Sequence, residues 1–489
     1  MKRGVFAALV VACLLARLWM ATRPIDQVDG LTIPDDTYLS LTVAQNLAAG
    51  RGPLYGEGFT NGFQPLWVYL LVPAFWASSD PMVPLRAGLM LGALFDTASL
   101  VVLLWWLSRR GLSVEACAIA GAAWAASPWL ILTANNGLET SMALFFVVAA
   151  FACLDRVRPA VLGLLLGLAV FSRVDLALLA AVLGLVMLLR RQLRQLAIAA
   201  GVAVAVNLPS WVYLGHYTGR LFPISGTAVR HYALWFARGW VSFFGQVASL
   251  ASFELVTRGA QVLIAVAVAV GALLVLRRRE GLRELSTATL DLRPAWAFAG
   301  VLLLAYVFWI PGFWYFHRYL VPCLVPLFPL LGSASELALA KVRRRGVVAA
   351  VAVLLLAVGA TRSPSGNLFV DEGAGRGYLA VARWANQYFP KGTVVGSAQS
   401  GALGYAARDL TIVNLDGVVD FLALHSLTRK TMGEYLQRRH VQYVIGFGIN
   451  IDYVQDASPD LPGSAWQHEG HAQGVVSWNS AWEVYRLKY

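Results

Sequence analysis

The stretch "QPLWVYLLVPAFWA", residues 64–77, decides how the rest of the chain threads. It is apolar, yet it supplies only about 13 apolar residues where a helix needs ~20 to cross a bilayer. It also carries Trp67, Tyr69 and Trp76, side chains of the kind that gather at the membrane interface. We read it as a re-entrant or interfacial helix, not a crossing.

The surrounding chain makes that reading consequential. Of 489 residues, 58% are hydrophobic and 13% charged, against roughly 25% charged in an ordinary soluble protein. Further apolar runs lie near residues 4–22, 84–107, 114–133, 138–154, 159–172, 175–189, 195–214, 259–276, 295–313, 320–340 and 346–361. Between them fall short basic clusters: Lys2 and Arg3; Arg109 and Arg110; Arg156 and Arg158; Arg190, Arg191 and Arg194; Arg277 to Arg279; Lys341 and Arg343 to Arg345. Lys and Arg in short loops stay on the cytoplasmic side. If 64–77 crossed, every cluster after the first would lie opposite to Lys2 and Arg3. If it does not, all of them share the cytoplasmic face, and about eleven spans result. The N-terminal run could be a signal peptide, but it lacks a small-residue cleavage site and Arg17 interrupts it, so we read a retained anchor.

The expected fold class is therefore a polytopic α-helical membrane protein with a small extracytoplasmic α/β C-terminal domain. The membrane part spans 1–361, with a long first external loop at 23–83. From 362 the long apolar runs stop and acidic residues appear, so 362–489 is read as the second domain. Within it, 377–389 has helical spacing, and 393–397 and 440–448 read as short strands. The net charge of +12 sits in the inter-span clusters, which argues against nucleic acid as a partner and for membrane lipid. The four cysteines, Cys13, Cys117, Cys153 and Cys323, all lie in apolar runs without metal-type spacing. There is no Walker motif, HExxH, GxSxG or CxxC, so nucleotide-driven transport, zinc proteolysis and serine hydrolysis lose their usual support.

Chemistry collects on the predicted outer face. In "TIPDDTYLSL", residues 32–41, Asp35 and Asp36 stand at the start of an amphipathic helix over 37–49. One carboxylate suffices to cap that helix, and capping is a sufficient role for the pair. The second carboxylate leaves room for general-base chemistry on an acceptor hydroxyl or amine. A departing phosphate needs cations, for which Arg173, Arg220, Arg230, His231, His317 and Arg318 are candidates; each could equally contact headgroups or a structural carboxylate. Glu139, in "NNGLET", reads as a helix-start carboxylate or a ligand. Asn61 and Gln64, in "TNGFQPLW", suit a sugar or phosphate, although Asn-Gly is also an ordinary turn.

Together, "PDDTYLSLTVAQNLAAGRG", "TNGFQPLW", "NGLETSM", "SRVDLALL" and "HRYLVPCLVPL" resemble the GT-C superfamily of glycosyltransferases. Its members include protein mannosyltransferases, aminoarabinose transferases and cell-wall arabinofuranosyltransferases. "VGSAQSGALGYAARDLTIVNLDGVVD" looks like the extracytoplasmic end of members of that superfamily. The resemblance implies an inverting transferase in a bacterial inner membrane, N-terminus cytoplasmic. It would move a sugar from a polyprenyl phosphate to an extracytoplasmic glycan, lipid or protein. It puts the base on Asp35 with Asp36 as its neighbour; our own candidates are Arg173, His317 and Arg318 (with Arg220 and Arg230) for phosphate recognition, and Tyr38, Asn61, Gln64, Glu139 and Asp175 for substrate contacts. The family's Arg-Pro-Asp reads "SRVD" here, keeping both charges without the proline. No cofactor is required by the sequence, although some members of the superfamily use a divalent cation. The rival readings are a lipid or polysaccharide transporter and a non-catalytic scaffold of envelope assembly.

Overall fold

The computed structural model describes residues 2–154, 158–237, 242, 244–245, 291–311, 316–339, 344–361, 377–477 and 480–489. Among them, Arg3–Thr22, Met82–Arg109, Leu193–Thr218 and Val321–Leu339 are long and apolar enough to cross a membrane. The pair Val114–Ala125 and Pro128–Ala134, bent by 56°, makes a fifth if counted as one span. Shorter apolar helices, including Thr140–Cys153, Pro159–Ser172 and Arg345–Thr361, occupy other predicted runs. The run at 259–276 lies outside the described residues.

The stretch at 64–77 is a helix, Pro65–Ala77, of 13 residues. At 1.5 Å per residue it reaches about 20 Å, short of the ~30 Å hydrocarbon core. Its two tryptophans tie it down from opposite ends. Trp67 is buried and donates to the Gly137 carbonyl at 3.0 Å, while the exposed Trp76 donates to the Ala48 carbonyl at 3.0 Å.

Arg17, which interrupts the first apolar run, is fully buried against Asp96 of Met82–Arg109 at 2.8 Å. The bent pair shows why an arginine belongs there. Pro128 has no N–H to give the carbonyl four residues back, and in an apolar medium that carbonyl must find another donor. Arg17 supplies one, reaching the Trp124 carbonyl at 3.3 Å and the Ala125 carbonyl as well. Ser127 opens the second helix, its hydroxyl accepting from the Leu130 N–H at 3.4 Å.

The first loop holds Ile25–Asp29, then Asp35–Ala48, then a two-strand ribbon of β1 (Leu54–Tyr55) and β2 (Gly58–Phe59). The C-terminal residues form a five-stranded sheet in the order β4-β3-β5-β7-β6. Its strands are β3 (Val394–Ser397), β4 (Thr411–Asn414), β5 (Tyr443–Gly446), β6 (Trp466–Ser477) and β7 (Ser480–Leu487). β3 pairs parallel with β4 and β5, and the β6–β7 hairpin adds antiparallel onto β5. The predicted helix at 377–389 and strands at 393–397 and 440–448 are found as Tyr378–Tyr388, β3 and β5. The hairpin was not foreseen.

The first loop grips this sheet domain through two carboxylates, each seated at the start of one of its helices. Asp29 accepts the Leu379 N–H at 2.8 Å, at the head of Tyr378–Tyr388. Asp35 accepts the Gly401 and Ala402 N–H groups at 2.7 and 2.9 Å, at the head of Gly401–Ala406. Unpaired helix-start amides and the positive end of the dipole favour a carboxylate there. Tyr55 adds a hydroxyl bond to the Ser400 carbonyl at 2.7 Å. The approach is close enough to demand glycine: a Cβ on Gly401 would lie 2.1 Å from the Asp35 carbonyl, and one on Gly62 would lie 1.8 Å from the Val418 carbonyl.

Candidate active site

The helix Asp35–Ala48 begins immediately after Pro34, which offers no side-chain cap, and has both aspartates in its first turn. Successive helical residues are turned by about 100°, so the adjacent carboxylates diverge. Asp35 turns into the sheet domain, with each oxygen taking one backbone N–H. Burial pushes it up to about 8, the two amides opposing that rise. Asp36 turns the other way and accepts from Arg318 Nη2 at 2.8 Å, with 28% of its side chain exposed.

Around Asp36 the cationic groups are linked through aromatic rings. Arg318 also donates to the Tyr319 hydroxyl at 2.7 Å, and its guanidinium lies 4.7 Å from that ring. Arg173 lies 5.1 Å from the same ring. Tyr319 stacks on Tyr306 at 5.0 Å, nearly parallel at 8°. Tyr306 in turn donates to Asp175 at 2.7 Å, and Asp175 forks onto Arg173. The "SRVD" charges thus form a planar pair without the proline. Among the described residues Arg173 Nη1 has no hydrogen-bond partner, a buried donor suited to an anionic oxygen. Glu139, 3% exposed, precedes Thr140–Cys153 and lies within the fields of Arg318 and Arg173.

Two cavities meet at Asp36. A small one of about 50 Å³ is lined by Asp36, Gln64, Glu139, Arg318 and Tyr319. A larger one of about 350 Å³ lies between Asp35, Asp36, the helix Ser225–Ala237 and the sheet domain. Its walls include Tyr232, Tyr378, Phe447 and Tyr453, with Gln399, Asp416 and Asn450 as the polar contributors. Burial raises Asp416 to about 7, held back by the Val418 N–H and the Asn414 amide. Tyr232 donates to Asn450 at 2.5 Å, and His231 Nδ1 meets the Tyr453 hydroxyl at 2.6 Å, pinning this helix to the sheet domain.

Of the residues singled out in the sequence, Asp36, Gln64, Glu139 and Arg318 share one cavity, with Arg173 and Asp175 one ring away. Others stand apart. Tyr38 is buried and donates to Asp29 at 2.5 Å, supporting the grip on the sheet domain. Asn61 bonds the Phe222 carbonyl at 2.9 Å and the Ile224 N–H at 3.3 Å, so its amide holds a turn. Arg220 lies over Phe421 at 3.5 Å, and Arg230 lies over Trp309 at 4.9 Å while donating to its carbonyl. The His317 side chain lies outside the described residues. Asp416, Gln399 and Asn450 were not picked out as site residues, although Gln399 and Asp416 fall within the quoted tail motif "VGSAQSGALGYAARDLTIVNLDGVVD".

A divalent cation does not fit the first-loop carboxylates as they stand. Asp35 is taken by two amides, Asp36 by Arg318, and Glu139, outside that loop, faces two guanidinium groups, so among the described residues these carboxylates do not converge on one point.

The chain is similar to known proteins in part of its sequence and in its fold. The model of Glycosyltransferase family 87 matches residues 59–292. A Domain of unknown function (DUF8728) matches residues 368–485. No curated protein sequence matches. Among solved structures, ArnT from Cupriavidus metallidurans in the apo state aligns over 99% of this chain and 98% of its own, at 15% identity and a TM-score of 0.58. The same protein bound to undecaprenyl phosphate aligns over 98% and 97%, at 14% identity and a TM-score of 0.53. The Archaeoglobus fulgidus oligosaccharyltransferase, tethered to an acceptor peptide, aligns over 96% of this chain and 72% of its own, at 13% identity and a TM-score of 0.56. At such identities the likeness to these structures is one of fold.

Proposed function

We propose that the chain is a membrane glycosyltransferase of the GT-C superfamily that moves one sugar, with inversion, from a polyprenyl phosphate to a hydroxyl of an extracytoplasmic glycan, a reading supported by the Glycosyltransferase family 87 match over residues 59–292 and by the likeness of fold to ArnT. Undecaprenyl phosphate in the ArnT structure and dolichol-phosphate in the archaeal enzyme support a lipid phosphate as leaving group. The orientation that fits is N-terminus in the cytoplasm and sheet domain outside a bacterial inner membrane.

The observation that carries this reading is the position of Asp36 where two cavities meet. On one side stand Arg318 and, one ring away, Arg173, able to receive a phosphate. On the other is an aromatic cavity with a few carboxylate and amide groups, a lining that suits the apolar faces and hydroxyls of a saccharide. An acceptor hydroxyl entering there loses its proton to Asp36 as its oxygen attacks the anomeric carbon. The anomeric C–O bond to phosphate breaks, and the polyprenyl phosphate departs toward Arg318 and Arg173. An incoming donor phosphate competes with Asp36 for Arg318, freeing the carboxylate as the donor arrives. The resemblance placed the base on Asp35. Both of its oxygens hold helix-start amides, so we assign it to seating the sheet domain and give the base to Asp36.

The test is reconstitution of the purified chain with a panel of polyprenyl-phosphate sugars and envelope glycans. The expected outcome is a glycan product of inverted anomeric configuration with stoichiometric release of polyprenyl phosphate. A retained configuration, or sugar transfer with no dependence on the polyprenyl phosphate, would contradict the proposal.

A further inference from the structure

At the edge of the five-stranded sheet, the terminal hairpin brings two imidazoles and a carboxylate together. His468 and His471 lie on β6 and Glu483 on β7. In a regular strand, side chains alternate between faces, so residues three apart point opposite ways. Here a bulge intervenes: His468 pairs with Tyr485, Gly470 with Val484 and His471 with Glu483. The extra residue restores parity and puts both histidines on the face of Glu483 and Tyr485. Gly470 sits at φ +111, a conformation side chains rarely take, yet a Cβ there would meet nothing within 4 Å. Packing does not require the glycine, whereas the bulge that aligns the histidines does.

Each oxygen of Glu483 faces one imidazole. His468 Nε2 is 2.6 Å from Oε2, and His471 Nδ1 is 3.3 Å from Oε1. The three donor atoms all lie within 4.8 Å of one another. Tetrahedral zinc with nitrogen ligands at 2.0–2.1 Å needs ligand atoms roughly 3.3 Å apart, so shifts of an ångström or less would close this group around an ion. Two imidazoles and a carboxylate are a borderline donor set that suits Zn²⁺ over Mg²⁺. All three side chains reach solvent, leaving a position for water.

We propose that His468, His471 and Glu483 form a Zn²⁺ site that clips β6 to β7. The clip matters to the cleft because β7 carries Trp482, whose ring lies 5.5 Å from that of Phe447 and 6.3 Å from that of Tyr378, both in the wall of the larger cavity.

Isothermal titration of ZnCl₂ into the chelator-treated full-length protein in detergent tests this, with MgCl₂ as comparison. One zinc equivalent should bind and raise the melting temperature, and MgCl₂ should do neither. His471→Ala and Glu483→Gln should each weaken zinc binding roughly tenfold or more, while substitution of His425, in the helix Phe421–Arg429 outside the hairpin, by Ala leaves it intact. The His471 side chain is more than half exposed, so the melting temperature of metal-free His471→Ala should match wild type. Absence of saturable zinc binding, binding undiminished in both variants, or an equal response to MgCl₂ would overturn the proposal.

Discussion

Asp35 and Asp36 differ by one position and by everything that surrounds them. Capping was a sufficient sequence reading of the pair, and capping occurs, but in trans: Asp35 caps a helix that starts at Gly401. Sequence spacing shows both carboxylates in a first turn; it cannot show which of two directions, about 100° apart, meets a partner hundreds of residues away. The pH dependence of the grip follows from burial. Asp35 rises to about 8 in the folded chain, and Asp29 and Asp416 rise to about 7. A carboxyl raised on folding binds a proton as the chain folds, so its contribution falls as pH climbs from the ordinary carboxylate range to about 8. Melting temperature should therefore drop between pH 6 and pH 9, and Asp35→Asn should lose less over that range. An identical slope in the variant would show that Asp35 does not titrate there.

At the scale of elements, the basic clusters and apolar runs carried most of what could be read. The short helix at 64–77, the helix bearing the dyad and the alternation of the tail are all written in local composition. The bulge at Gly470 and the break at Pro128 are not, because each takes its meaning from a partner on another element. Arg17 is the clearest case: in the sequence it is an interruption, and in the fold it supplies the bent pair with donors and pairs with Asp96. Asp96→Ala leaves a buried guanidinium uncompensated, which should cost about 3–5 kcal/mol, seen as a large fall in the detergent melting temperature. Asp96→Glu should recover part of it. A second element-scale test concerns docking. Gly62→Ala forces a Cβ to within 1.8 Å of the Val418 carbonyl, and overpacking of this kind costs typically ~1–3 kcal/mol. Protection of the Gly401 and Ala402 amides in hydrogen exchange should fall while the amides of Met82–Arg109 stay protected.

Over the whole molecule, the fold places a cationic, aromatic-linked cluster beneath a sheet domain and leaves Asp36 between them. The threading that does this can be checked directly. The four native cysteines lie in apolar segments and should resist a membrane-impermeant maleimide. Ser464→Cys should label in intact cells, and Arg194→Cys only after the membrane is opened. The reverse pattern would invert the topology and put the cleft on the wrong side for an extracytoplasmic acceptor. The central claim is that Asp36, not Asp35, takes the acceptor proton. It is tested most directly by the rate of labelled-sugar transfer from a polyprenyl phosphate in Asp36→Asn and Asp35→Asn. Loss of a general base costs roughly 10²–10⁴ in rate, so Asp36→Asn should fall by that factor while still folded at the assay temperature, and Asp35→Asn should keep most of its turnover. Normal transfer in Asp36→Asn, with transfer abolished in a well-folded Asp35→Asn, would contradict the account.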